Sequence, residues 1–288
     1  MSKVLVLGSN GMLGSQVFET FKDRKIDTYS TKTNPDGPRD FQFRFGIDDL
    51  EQIIFEIPNL DYIINCIGAI PQRNPQSENF ELNWELPLLL QNLSDKIGFK
   101  VIQIATDCAF DGLIGGYSEA DARSAKDAYG KSKVLGEVLS SQFMHIRCSI
   151  IGNDKEAKSL YSWLVSHDEN AVVTGYTNHI WNGVTTLAFA NVAAGIIINE
   201  SFVSGIHHLV PLSIVTKYEL LELILKSENR RDLTIIPYKT VMKVDRTLTT
   251  INPNLNQELW KHGGYDPIPT VRDLVCEFGF RNIEKRNK

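Results

Sequence analysis

The chain has 288 residues, 42% hydrophobic and 23% charged, which suits one globular chain with a sizeable core and excludes a disordered one. Its 35 acidic and 30 basic residues leave a formal charge of −5, which argues against a nucleic-acid partner, because such a partner needs a basic face. The longest apolar run, around 192–198, is far too short to span a bilayer, and Cys66, Cys108, Cys148 and Cys276 show no paired spacing, so reduced thiols in a cytoplasmic protein are expected.

Taken in chain order, the first apolar run, 4–7, reads as a strand and not a signal peptide, because it leads directly into Gly8-Ser9-Asn10-Gly11-Met12-Leu13-Gly14. Small residues between a strand and a helix let the backbone approach a pyrophosphate, whose charge then meets free N–H groups at the helix start. Gly8, Asn10, Gly11, Met12 and Leu13 are therefore the first cofactor residues, and the helix is predicted over 12–22. The second strand, 27–30, runs into Ser30-Thr31-Lys32 with no carboxylate where NAD binders place one. Two hydroxyls and a cation there suit a 2′-phosphate, so NADPH is expected in preference to NADH.

A short helix at 48–56 and a strand at 62–67 follow, the latter ending at Cys66, Ile67 and Gly68, which are expected beside the cofactor. A helix at 77–96 leads to a strand at 101–105 that ends in Thr106-Asp107. The next predicted helix, 128–141, opens with Tyr129-Gly130-Lys131-Ser132-Lys133, placing Tyr129 and Lys133 one turn apart on one face. A Tyr-x-x-x-Lys spacing is common by chance; its place after a strand end, where α/β sheets bind ligands, gives it weight. Hydride added to a carbonyl carbon leaves an alkoxide, to which a phenol can give a proton. Lys133 would lower the Tyr129 pKa and hold the nicotinamide ribose, while Thr106 would polarise the carbonyl.

A strand over 145–151 closes the alternation of strands and helices, the pattern of a Rossmann-type doubly wound parallel sheet in an α/β protein. Beyond it the pattern is mixed: helices at 155–166, 185–199, 217–226 and 270–278, and a strand at 172–175. The expected division is a dinucleotide-binding domain over 1–153 and a smaller mixed α/β substrate-binding lobe over 154–288, with some segments of the second returning to the first. In that lobe Trp181 could stack on a sugar or base, and Asn182 and Thr185 could hydrogen-bond hydroxyls. The alternative is that Asn182 or Thr185 simply caps the following helix. Arg246 is a candidate for diphosphate oxygens, with a structural ion pair as its alternative. The histidines lack a metal-ligand pattern, and no metal is expected.

The motifs Gly8–Gly14, Thr106-Asp107-Cys108-Ala109-Phe110-Asp111-Gly112, Tyr129–Lys133 with Gly136-Glu137, and Arg147-Cys148-Ser149-Ile150-Ile151-Gly152 resemble those of the extended short-chain dehydrogenases, most closely the dTDP-4-dehydrorhamnose reductases. The resemblance implies a catalytic Thr106, Tyr129 and Lys133 with Asp107 beside them, acting on a nucleotide-linked keto sugar in deoxysugar and surface-polysaccharide synthesis; a homodimer is compatible with it. The chain departs from the family at Cys108 and Ile150, where aromatic residues are usual, and at Ala69-Ile70-Pro71-Gln72-Arg73-Asn74-Pro75, where an acidic segment is usual. Those positions bear on the sugar. Two alternatives accompany the reductase: an epimerase or dehydratase that recycles its NAD, and a non-catalytic Rossmann subunit that regulates a partner.

Overall fold

The computed structural model describes residues 2–71 and 80–287. The first part of the predicted helix over 77–96 and the departure at 72–75 therefore lie outside the described residues. Six strands and four helices alternate through the first half. In chain order they are β1 Lys3–Leu7, α1 Met12–Asp23, β2 Asp27–Lys32, β3 Asp40–Gln42, α2 Leu50–Phe55, β4 Tyr62–Asn65, α3 Leu82–Ile97, β5 Lys100–Ala105, α4 Ala128–Leu135 and β6 Phe143–Arg147. Next come β7 Ile150–Ile151, α5 Leu160–Val165, β8 Val172–Tyr176, β9 His179–Trp181, β10 Val184–Thr185, α6 Thr186–Ile198 and β11 Gly205–His208. The chain ends with β12 Val215–Thr216, α7 Lys217–Ser227, β13 Thr234–Tyr238, β14 Val244–Asp245, α8 Pro253–His262 and α9 Val271–Arg286.

The main sheet has seven strands in the order β11-β6-β5-β4-β1-β2-β3, all parallel. Both faces are covered, so its strands are near-continuous apolar runs, and alternate residues divide between two cores. Val4, Val6, Ile64, Ile102 and Met144 face one core with Val17, Phe21, Phe189 and Trp260, whereas Leu5, Leu7, Ile63 and Val101 face the other with Leu50, Leu86 and Leu90. Strand order reverses between β1 and β4, which opens a crevice at their carboxyl ends. A third core, including Tyr161, Leu164, Leu220, Ile224 and Phe278, holds α5, α7 and α9 beneath the short sheets β13-β8 and β12-β9-β14.

Several predicted elements differ, among them the helix expected over 270–278, which runs on to Arg286. The helix expected over 128–141 stops at Leu135: Gly136 caps it at a point where a Cβ would stand 2.1 Å from the Asn83 carbonyl oxygen. Beyond that close contact Glu137 turns inward to Arg147 and Val138 enters the second core. The helix expected from 155 starts at Leu160, because the Asp154 carboxylate accepts the backbone N–H groups of Glu156, Lys158 and Ser159 at 2.9, 3.1 and 2.5 Å and holds that stretch as a loop. The strand expected over 145–151 is two, β6 and β7. β3, α8 and the strands from β9 to β14 have no counterpart in the sequence reading.

Candidate functional site

The glycine turn is built as the sequence reading requires. Gly8 adopts φ +77, a left-handed conformation that favours glycine, and its carbonyl oxygen accepts the Gly11 N–H at 2.9 Å. A Cβ on Gly14 would lie 2.2 Å from that same oxygen, so only glycine lets α1 approach β1 this closely. No side chain caps α1, which leaves its first N–H groups facing the crevice. The turn thus fits the pyrophosphate of a dinucleotide, which would sit on those N–H groups. Gly11, Met12 and Leu13 line a cavity of about 500 Å³ with Cys66, Ile67 and Gly68. Asn10, at the tip of the turn, is exposed.

The end of β2 differs from expectation. Ser30 and Thr31 are buried: the Thr31 hydroxyl accepts the Gly8 N–H at 3.0 Å, and the Ser30 hydroxyl donates to Asp40 at 2.5 Å. They brace the glycine turn from behind and do not line the cavity. Lys32 is ion-paired with Asp36 and, at 2.7 Å, with Asp40, so it is not the unopposed cation that the sequence suggests. Asp40 was invisible to that reading because it stands on β3, ten residues after Ser30, and reaches it only through strand pairing.

On the far side of the crevice β5 delivers Thr106 to the cavity wall, where its hydroxyl caps a short 3-10 turn by accepting the Cys108 N–H at 3.1 Å. Asp127 caps α4 by accepting the Gly130 N–H at 2.7 Å, and this orients the first turn so that Tyr129 and Lys133 both face the cavity. Gly130 is obligatory, since a Cβ there would stand 2.3 Å from the Cys108 carbonyl oxygen. The Tyr129 side chain lines the cavity with Thr106 and Asp107. Burial pushes the phenol pKa up, and the nearby Cys108, Asp107 and Asp127 push the same way. This departs from the expectation that Lys133 lowers it. The Lys133 ammonium instead donates to the Ile104 carbonyl at 3.2 Å, and burial brings its pKa down to about 8 against the pull of Glu137 and Cys66. A phenol held neutral is the form that can donate a proton.

Asp107 lies beside Thr106, its carboxyl raised by burial and partly restored by Lys217 and Arg246. Trp181 is 3% exposed yet contributes to the cavity wall, its indole N–H donating to the Ser149 hydroxyl at 2.8 Å. Asn182 and Thr185 are structural and do not reach the cavity. The Asn182 amide clamps the Leu248 backbone at 2.7 and 3.0 Å, and the Thr185 hydroxyl caps α6 by accepting the Ala188 N–H at 3.2 Å. The Arg246 guanidinium donates to the Phe110 carbonyl at 3.0 Å and lies 3.8 Å from Asp127, beside the cavity. Cys108 and Ile150, two of the three departures from the family, both line it.

Asn83 and Lys217 are among the wall residues that the sequence reading missed. Asn83 of α3 holds the Ala69 backbone through bonds of 2.8 and 2.9 Å and donates to Ser132 of α4 at 3.0 Å, tying the end of β4 to the helix that carries Tyr129. Its signal was only a polar residue at an apolar helix position. Lys217 opens α7, where a cation opposes the helix dipole, and that misfit was the available clue. Among the described residues no group of three His, Cys, Asp or Glu could hold a metal ion, and no helix is long and apolar enough to cross a membrane.

The family described as RmlD substrate binding domain matches residues 2–278. The chain belongs to that family. Solved structures share this fold along the whole chain. A dTDP-4-dehydrorhamnose reductase from Clostridium acetobutylicum superposes with a TM-score of 0.75 at 19% identity, covering 99% of this chain and 100% of the other. One from Bacillus anthracis, in complex with NADP, also gives 0.75 at 19% identity, over 98% and 100%. A dTDP-glucose 4,6-dehydratase from Bacillus anthracis, in complex with NAD, gives 0.73 at 16%, over 100% and 98%. At such identities these structures speak to the fold. A curated relative, methionine adenosyltransferase 2 subunit beta of Danio rerio, is 27% identical over 139 residues, 47% of this chain; the match spans 42% of that relative's length.

Proposed function

We propose that this chain is an NADPH-dependent reductase of a nucleotide-linked 4-keto sugar. The observation that carries the reading is that Thr106, Tyr129 and Lys133 line one cavity together with Gly11, Met12 and Leu13 of the glycine turn. Bound on that turn, the nicotinamide would supply a hydride to the sugar carbonyl carbon. Thr106 and Tyr129 would both hydrogen-bond the carbonyl oxygen and stabilise its growing charge, and Tyr129 would then give up its phenolic proton. Lys133, already an ammonium in a buried setting, would hold the ribose and support the phenolate that Tyr129 becomes. The family membership and the reductases among the similar structures support this assignment, as does the NADP bound to one of them.

Cys108 and Ile150 in place of aromatic side chains leave that wall of the cavity less filled, which suits a sugar differing from dTDP-4-dehydrorhamnose. The test is a panel of nucleotide-linked 4-keto sugars offered to the protein with NADPH while absorbance is followed. Substrate-dependent loss of NADPH is the expected result; none across the panel would refute the reductase.

A further inference from the structure

Lys217 has no place in the reductive step, yet it lines the same cavity as Thr106, Asp107 and Tyr129. β12 pairs with β9 so that Val215 lies opposite Trp181, and the next residues, Thr216 and Lys217, begin α7. Thr216 and Glu219 form a complete capping box, the Thr216 hydroxyl accepting the Glu219 N–H at 3.1 Å and the Glu219 carboxylate accepting the Thr216 N–H at 2.7 Å. The helix start is therefore satisfied without Lys217, and a cation there opposes the helix dipole. Its ammonium lies 5.0 Å from the Trp181 ring centroid. Among the described residues no hydrogen bond and no ion pair holds it.

Of the charged groups that face it, Asp107 and Cys108 come from the turn after β5, His179 from β9, and Arg246 from beside β14. Lys217 and Arg246 both act on Asp107 and on His179, so the cation in the wall has a second one beside the cavity. A desolvated ammonium whose nearest carboxylate, Asp107, makes no direct ion pair with it is costly unless a ligand supplies an anion in contact.

We propose that Lys217 is an anion-binding residue for the diphosphate of a nucleotide-linked substrate, acting with Arg246 across the cavity mouth from Tyr129. This rests on the reading of the cavity as a nucleotide-sugar site. An arriving phosphate oxygen completes the coordination that the protein leaves open, and the Trp181 ring beneath keeps the lysine from folding back into solvent. In the ligand-free protein burial brings the ammonium down to about 8, opposed by Asp107 and Cys108. A bound dianion raises it again, so affinity falls as pH rises through that value.

The experiment is calorimetric titration of the NADP-loaded protein with UDP and with dTDP, at neutral pH and at about pH 9. We expect binding at neutral pH, a clear loss at the higher pH, and a loss of about tenfold or more in Lys217→Met at neutral pH with cofactor affinity and melting temperature unchanged. Lys217→Arg should retain binding and flatten its pH dependence, since a guanidinium does not titrate there. Lys217→Met binding either nucleotide as tightly as the unaltered protein would overturn the proposal, as would the absence of nucleoside diphosphate binding in the unaltered protein. Lys217-dependent binding in a protein that reduces no keto sugar would leave this inference standing and remove the reductase.

Discussion

Cofactor choice turns on a few side chains at the end of β2. Lys32 is the group that would attract a 2′-phosphate, and Asp36 and Asp40 offset its charge. We therefore expect only a modest preference for NADPH over NADH, less than about tenfold in affinity, and a larger one in Asp40→Asn, which keeps the Ser30 hydrogen bond but removes one of the two carboxylates on Lys32. Fluorescence titration with both cofactors checks this; an NADPH preference that shrinks in Asp40→Asn would contradict it. A second residue sets acid stability. His145 is fully buried in the sheet, its Nε2 bonded to the Val138 carbonyl at 2.7 Å and its Nδ1 without a partner, so the ring is held neutral and its pKa falls to about 4. Because the folded value lies below the ordinary 6.5, the unfolded chain binds the extra proton first, and stability is lost as pH drops from about 6.5 toward 4. His145→Leu should remove up to about 3 kcal/mol of that slope, read from urea unfolding across this range. Single residues were legible where their chemistry stood in sequence order, as at Thr106, Tyr129 and Lys133. They were not where strand pairing or the folding of the second lobe brought the partner, as with Asp40, Asn83 and Lys217.

Elements follow the same division. β1, α1, β4, β5 and α7 stand close to where apolar periodicity puts them, because each buries a continuous or one-sided apolar face. β3 is three residues long and only half buried, and α8 is mostly polar apart from its inward Leu255, Leu259 and Trp260, so neither had a periodic signature. The early end of α4 has an energetic counterpart in the Glu137–Arg147 pair, bidentate at 2.6 and 2.7 Å with both side chains almost fully buried. Arg123 adds a third contact at 2.8 Å. Breaking one side leaves a buried charge unmatched, so Arg147→Met should lower stability by about 3 to 5 kcal/mol. Chemical denaturation measures this, and a change under about 1 kcal/mol would show the pair to be dispensable. Since Glu137 also supports the charged form of Lys133, Glu137→Gln should lower the lysine pKa further.

At the scale of the whole molecule, chemistry collects where strand order reverses. The glycine turn follows β1, Cys66–Gly68 follow β4, Thr106 follows β5, and the later lobe brings Trp181 and Lys217 over them. The sheet and its switch point were legible in the sequence because alternating apolar runs and helices admit few topologies. The second half was less so, since its short strands pair across long separations, as β8 does with β13 and β9 with β14. The central claim is that Tyr129 gives the proton that completes carbonyl reduction. Single-turnover oxidation of NADPH with a reducible nucleotide-linked 4-keto sugar, comparing the unaltered protein with Tyr129→Phe, tests it most directly. The account predicts a rate lower by roughly 10²- to 10⁴-fold in the variant, with cofactor affinity nearly unchanged, because only the hydroxyl is lost and the ring still packs on Phe80. A Tyr129→Phe protein that turns over as fast as the unaltered one would contradict it.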